Sequence, residues 1–324
     1  ITEEDLVVTI SHQGYAKTQP LDSYQAQKRG GRGRAATAVK DEDFVEHLLI
    51  ANSHDTVPCF SDQGKVYWLK VYQIPQASRG AKGRPLVNML PLDAEERITT
   101  ILPIKDYDAD HFIFMATANG TVKKTPLEQF SRPRTSGLIA LELEEGNTLI
   151  GAALTDGASD VLLTASSGKA VRFKESDVRA MGRTARGVRG IKLTGSQHVI
   201  SLIIPQEGGY VLTASENGFG KRTEITEFPV KGRGTQGVIA IQISDRNGAV
   251  VGAVQVFSGE ELMLISNMGT LVRTGVDEVS SQGRNTQGVR LINLRGDEKL
   301  VGVERIVEQD EDAAGEDGDA GEDE

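Results

Sequence analysis

The sequence predicts an all-β ring of six blades, and three observations predict it. Two glycine ladders run in step, each unit carries about four short strands, and no convincing amphipathic helix occurs. The first ladder is Gly14, Gly64, Gly120, Gly168, Gly218 and Gly269, spaced 50, 56, 48, 50 and 51 residues apart. The second is Gly33, Gly83, Gly137, Gly187, Gly237 and Gly288, which trails the first by 19 residues except in the third unit, where it trails by 17. An insertion around Leu92-Asp93-Ala94-Glu95-Glu96-Arg97 accounts for the long second spacing.

The fourth unit shows the elements in order. Val161-Leu162-Leu163-Thr164-Ala165 is an apolar run ended by the turn Ser166-Ser167-Gly168-Lys169. Ala170-Val171-Arg172-Phe173-Lys174 then alternates as a half-buried strand does. A basic loop, residues 181–187, leads into a third strand over residues 188–193, and residues 199–204 close the unit before Pro205. Repeats starting near residues 6, 48, 112, 160, 210 and 261 fill residues 1–307 as one domain. A ring also leaves few sheet edges open to aggregation. A pair of β-sandwiches would not explain two ladders in register.

Charge is unevenly placed. The formal net charge is −10, but ten of the 46 acids lie in residues 308–324, leaving 36 against 36 Lys and Arg. That run cannot bury apolar surface, so a disordered acidic tail is expected. One cysteine, Cys59, excludes an intramolecular disulfide and fits a reducing, cytoplasmic setting. No apolar run approaches the ~20 residues of a membrane span. Ile1-Thr2-Glu3-Glu4-Asp5 is neither a start methionine nor a signal peptide, as expected of a piece of a longer chain.

Basic residues gather at the second ladder. Gln27-Lys28-Arg29-Gly30-Gly31-Arg32-Gly33-Arg34 is followed by Arg79, Lys82 and Arg84, then Arg132 and Arg134, Arg183 and Arg186, Lys231 and Arg233, and Arg284. Others follow the first ladder: Lys17, Lys70, Lys123, Lys124, Arg172, Lys221, Arg222 and Arg273. Equivalent positions in a closed ring share a radius, so these bases are expected to form a band suited to a polyanion. Neighbouring glycines would let a phosphate approach the backbone. No recognition helix, zinc-finger spacing or RNP aromatic set is present, so the expected contacts are to phosphates rather than bases. No metal-ligand spacing or Walker A pattern occurs; His54, Cys59 and Trp68 read as ordinary packing residues.

Residues 27–33 resemble the gyrase box of the DNA gyrase A family, usually written QRRGGKG, with Lys28 for Arg and Arg32 for Lys. The stretches ATANGTVKKT, VRFKES, RAMG, GKRT, GTLVRT and GRNTQGV extend the resemblance along the whole body. It implies the family's C-terminal domain, a six-bladed β-pinwheel that wraps duplex DNA in a positive sense and contributes to negative supercoiling. It also implies that this segment is not catalytic, binds no cofactor or metal and works beside the gyrase B protein in bacterial cytoplasm. The parent's tyrosine nucleophile and its use of ATP and Mg would lie in other domains. The corresponding domain of topoisomerase IV, with a degenerate box, is the nearest alternative. A protein-binding propeller scaffold and an enzyme with a central-channel site are the others.

Overall fold

The computed structural model describes residues 1–24, 39–40 and 43–307. The box, Arg34 and the acidic run 308–324 fall outside the described residues. Six antiparallel four-stranded sheets make up the fold, a six-bladed propeller. Helix among the described residues amounts to single turns, such as the 3-10 turns Glu175–Asp177 and Ile225–Glu227. No described helix is long and apolar enough to cross a membrane.

Each blade borrows its outermost strand. In the blade of the fourth repeat, Asp160–Ala165 pairs with Lys169–Lys174 on one side and Val199–Ile203 on the other. Beyond Lys169–Lys174 lies the two-residue strand Val238–Ile239, which belongs to the fifth repeat. The same exchange links every consecutive pair, and Val39–Lys40 of the first repeat pairs with Thr270–Gly275 of the sixth, closing the ring. Successive closing strands, such as Val199–Ile203, Val250–Val256 and Leu300–Ile306, lie beside one another on the inner side. The exchanged strands therefore form the outer rim.

Two sequence expectations change here. The expected third strand over 188–193 is only Val188–Arg189, since pairing with the neighbouring blade ends there and Gly190 turns the chain away. The second repeat begins with Thr56–Ser61 rather than near 48; the apolar run there is the closing strand Val45–Asn52 of the first repeat.

Burial explains why the first strands read as continuous apolar runs. Val161, Leu162, Leu163 and Ala165 are all fully buried, because neighbouring blades cover both faces of the sheet. Phe114 of the third repeat and Phe173 of the fourth share one such inter-blade layer, their ring centroids 6.3 Å apart.

The exchanged strand also explains the second glycine ladder. Gly237 sits at φ +80°, and a Cβ there would lie 2.1 Å from the Ala170 carbonyl oxygen of the neighbouring blade. The close approach at this ladder glycine is to protein backbone, whereas Gly80 and Gly232, which stand beside bases, have nothing within 4 Å of a Cβ position. Gly146 has the same φ with nothing within 4 Å of its Cβ. Gly237→Ala should therefore cost roughly 2–3 kcal/mol more than Gly146→Ala, the excess being the clash beyond the shared backbone strain. Urea unfolding of the two variants measures the difference; equal losses would remove the steric account.

At the seam between the sixth and first repeats, burial and the nearby Glu46 push the Glu304 carboxyl up to about 8. The Glu46 carboxylate, hydrogen-bonded to His12, raises that imidazole too. The folded chain thus holds the Glu304 proton from an unfolded value of about 4.3 up to about 8, and stability falls as pH rises through that window. Glu304→Gln should match the parent near pH 4 and exceed it by on the order of 1 kcal/mol at pH 9, after discounting for partial solvent screening. Thermal unfolding at the two pH values tests this; a variant that loses stability at pH 9 contradicts it.

Candidate nucleic-acid interface

The rim loops between the second strand and the exchanged strand carry most of the expected bases. Arg79, Lys82, Arg84, Arg132, Arg134, Arg186, Lys231 and Arg233 are exposed, and Arg183 and Arg284 are half-buried. Lys82 Nζ lies 5.4 Å from the centroid of the Tyr15 ring. Arg186 makes exposed ion pairs at 3.4 Å with Glu142 and 3.7 Å with Glu144, which hold it weakly.

Two of these arginines are fixed by one device, and a third shares half of it. Arg233 donates from Nε to the Asp177 carbonyl at 3.0 Å and from Nη1 to the Arg189 carbonyl at 3.0 Å. Arg284 repeats it one blade on, with Glu227 at 2.8 Å and Ile239 at 2.9 Å. Arg183 donates from Nη1 to the Ile139 carbonyl at 3.4 Å. Each occupies the fourth position before its ladder glycine and reaches the second residue of the preceding repeat's exchanged strand. Anchoring uses part of each guanidinium's five donors, and the remainder can serve a phosphate oxygen. Arg132, Arg134 and Arg183 also converge on an open hollow of about 500 Å³ with Glu128, Gln129, Ser131 and Leu138.

Most of the bases after the first ladder do not join this band, contrary to the sequence expectation; of the eight, Lys70 is exposed. Lys123 and Lys221 are fully buried and Lys124 nearly so, so they offer no surface to DNA. Lys124 donates to the Glu175 carbonyl at 3.2 Å and stands 3.9 Å from the buried Glu175 carboxylate, 4.7 Å above the Phe112 ring. Arg172 is half-buried and pairs with Asp160 at 3.0 Å while donating to the Ile225 carbonyl at 2.9 Å. Arg222 donates to the Val279 carbonyl at 2.8 Å and stacks over Tyr210, with Asp277 at 3.7 Å. Arg273 pairs with Glu261 at 2.7 Å. A charge desolvated this way needs a partner, and each has one inside its blade or across to the next.

Sequence reasoning missed Arg189 and Arg290. Both are exposed on exchanged strands, two residues after a ladder glycine, and that spacing is the signal that would have found them. Arg290 also stacks over Phe219 at 4.9 Å.

Of the three side chains read as packing residues, Cys59 and Trp68 occupy such positions, whereas His54 is exposed, its Nε2 3.2 Å from the Ile1 carbonyl oxygen. Cys59 is buried, and burial pushes its thiol up to about 12. Trp68 donates from Nε1 to the Tyr107 hydroxyl at 3.1 Å and packs into an inter-blade cluster. Among the described residues no group of His, Cys, Asp and Glu is arranged to hold a metal ion.

Comparison with known proteins agrees with this geometry. A family model for the DNA gyrase C-terminal domain, β-propeller, matches residues 5–52, 55–105, 111–156, 159–206, 209–256 and 260–306. The DNA gyrase A protein of Klebsiella oxytoca is 58% identical over 312 residues, 96% of this chain and 36% of that protein. Its Escherichia coli K12 counterpart is 56% identical over 308 residues, 95% of this chain and 35% of its own. The chain thus spans little more than a third of the length of these relatives. A solved DNA gyrase A C-terminal domain superposes with a TM-score of 0.68 at 27% identity, covering 94% of this chain and all of its own. The C-terminal domain of a DNA topoisomerase IV gives 0.82 at 25% identity, covering 94% of each chain. Six matched repeats and more than half of all residues shared with gyrase A proteins settle the lineage: the chain belongs to the DNA gyrase A C-terminal domain family.

Proposed function

We propose that this chain binds duplex DNA without sequence preference and wraps it around the rim, as one part of a supercoiling topoisomerase. The observation that carries the reading is the arc of bases, most of them exposed, around the second-ladder glycines of successive repeats, with Arg233 and Arg284 each held by two carbonyls of the neighbouring blade. Fixed charges spread along an arc favour a bent duplex over a straight one, since only the bend brings distant phosphates to them all. Phosphate contacts of this kind set register and direction but carry no sequence code.

In this reading the segment has no catalytic group of its own. It acts beside the gyrase B protein in bacterial cytoplasm, and the parent's ATP and Mg chemistry takes place in other domains. Identity of 56–58% to gyrase A proteins favours gyrase over topoisomerase IV, despite the closer superposition on the latter's domain. The first test is binding of a random-sequence duplex by Arg183→Ala/Arg233→Ala/Arg284→Ala. Affinity should fall with a salt slope lower by about 3, one for each phosphate no longer neutralised. An unchanged slope would remove these arginines from the interface.

A further inference from the structure

We propose that Lys17, Lys123 and Lys221 are positioning residues that latch the rim loops of the second, fourth and sixth repeats in the shape that meets DNA. All three stand three residues after a first-ladder glycine, on the second strand of an odd-numbered repeat. Lys17 Nζ donates to the carbonyls of Ser78, Arg79 and Ala81 at 3.1, 2.8 and 3.2 Å. Lys123 Nζ meets those of Gly182, Arg183 and Ala185 at 2.9, 2.6 and 3.1 Å, and Ala140 at 2.7 Å. Lys221 Nζ meets those of Gly283, Arg284 and Thr286 at 2.6, 2.6 and 3.2 Å, and the Thr286 hydroxyl at 3.0 Å.

Counted back from Gly83, Gly187 and Gly288, the three carbonyl sets are the same: fifth, fourth and second before the ladder glycine. A nest of three convergent carbonyls repeated at one register is a built site, and its occupant is the ammonium of the preceding blade. The even-numbered repeats differ. Tyr67 and Val171 hold the corresponding position, and they pack against Gly137 and Gly237 of the next loop without donating to it. Ammonium-latched and apolar-seated loops therefore alternate around this part of the rim.

The latch bears on DNA through the side chains its loops carry. The Arg79, Arg183 and Arg284 carbonyls accept from the ammonium, so the lysine fixes the backbone of the very residues whose guanidiniums lie at the rim. An ammonium donates three hydrogen bonds, whereas a neutral amine donates two and turns a lone pair towards carbonyl oxygen. Burial, with Arg183 beside it, pushes Lys123 down to about 7. Burial and Arg284 push Lys221 to about 8 against the opposing pull of Glu227. Arg186 with Glu142 and Glu144 completes the charged surroundings of the fourth-repeat loop.

This inference rests on the DNA-wrapping reading, and the test separates the two. Hydrogen exchange is followed without DNA on the whole chain and on Lys123→Met, and duplex binding is measured on both. Protection at residues 183–187 should fall roughly tenfold or more in Lys123→Met, as expected for losing hydrogen bonds to a charged group, while residues 231–237 keep theirs. In the parent, protection of the fourth-repeat loop, corrected for intrinsic exchange, should decline from pH 6 to pH 9; in the variant it should not. DNA affinity should fall severalfold with the fold intact. Unchanged loop protection, or equal loss in every blade, overturns the latch. If Lys123→Met does not fold, Lys17→Met at the less buried nest decides through residues 79–83. A parent that fails to bind duplex defeats the wrapping reading, whereas the exchange data still judge the latch.

Discussion

Affinity of this chain for random-sequence duplex is expected to fall by about 10³–10⁵ between 50 and 200 mM salt. That range follows from neutralising on the order of 6–10 phosphates, each releasing condensed counterions. The structure supports that count by a different set of bases from the one the sequence suggests. Lys123, Lys124 and Lys221 drop out because they are buried, and Arg172, Arg222 and Arg273 are held by carboxylates or carbonyls. Seven exposed bases of the second-ladder loops and Arg84 on its exchanged strand remain, with Arg189 and Arg290 added on other exchanged strands. A titration series across that salt range gives the slope directly. A flat dependence, or a preference for one short sequence, would mean that the arc does not hold phosphates.

Replacing Lys28, Arg29 and Arg32 by Ala together is expected to abolish wrapping while leaving most of the binding. Bending 20–30 bp by 40–90° costs roughly 1–6 kcal/mol, and only contacts at both ends of an arc offset it. With the first repeat's bases gone, the duplex should straighten against the bases that remain in the later repeats. The salt slope should drop by about 3, while the shift in DNA topology should vanish. A triple variant that still shifts topology normally would show that the box is not an end of the arc.

The two glycine ladders made the ring legible because each ladder answers a backbone demand. The first places a positive-φ residue in a tight hairpin turn, as at Gly168, and the second admits a neighbouring strand at contact distance, as at Gly237. Strand exchange was not legible. A strand of two residues has no periodicity, and its partner lies about seventy residues away in another repeat. The site was half legible for a related reason. Lys123 and Lys82 look alike in sequence, yet one fills a carbonyl nest and the other lies at the rim. Register decides between them: third or fourth after a first-ladder glycine means inward, and within six before a second-ladder glycine means outward. Misplacing the second repeat had the same root, since an apolar run such as residues 48–51 can open or close a blade until its pairing is known.

The central claim is that this domain bends duplex DNA around itself in one sense. Closed circular DNA relaxed by a nicking-closing enzyme in the presence of rising amounts of the chain, then stripped of protein, tests it most directly. Positive wrapping by this chain alone should raise the linking number in proportion to the protein bound, and the increase should disappear above the salt concentration that releases DNA. An unchanged linking number at saturating binding would contradict the account, and a lowered one would reverse its handedness.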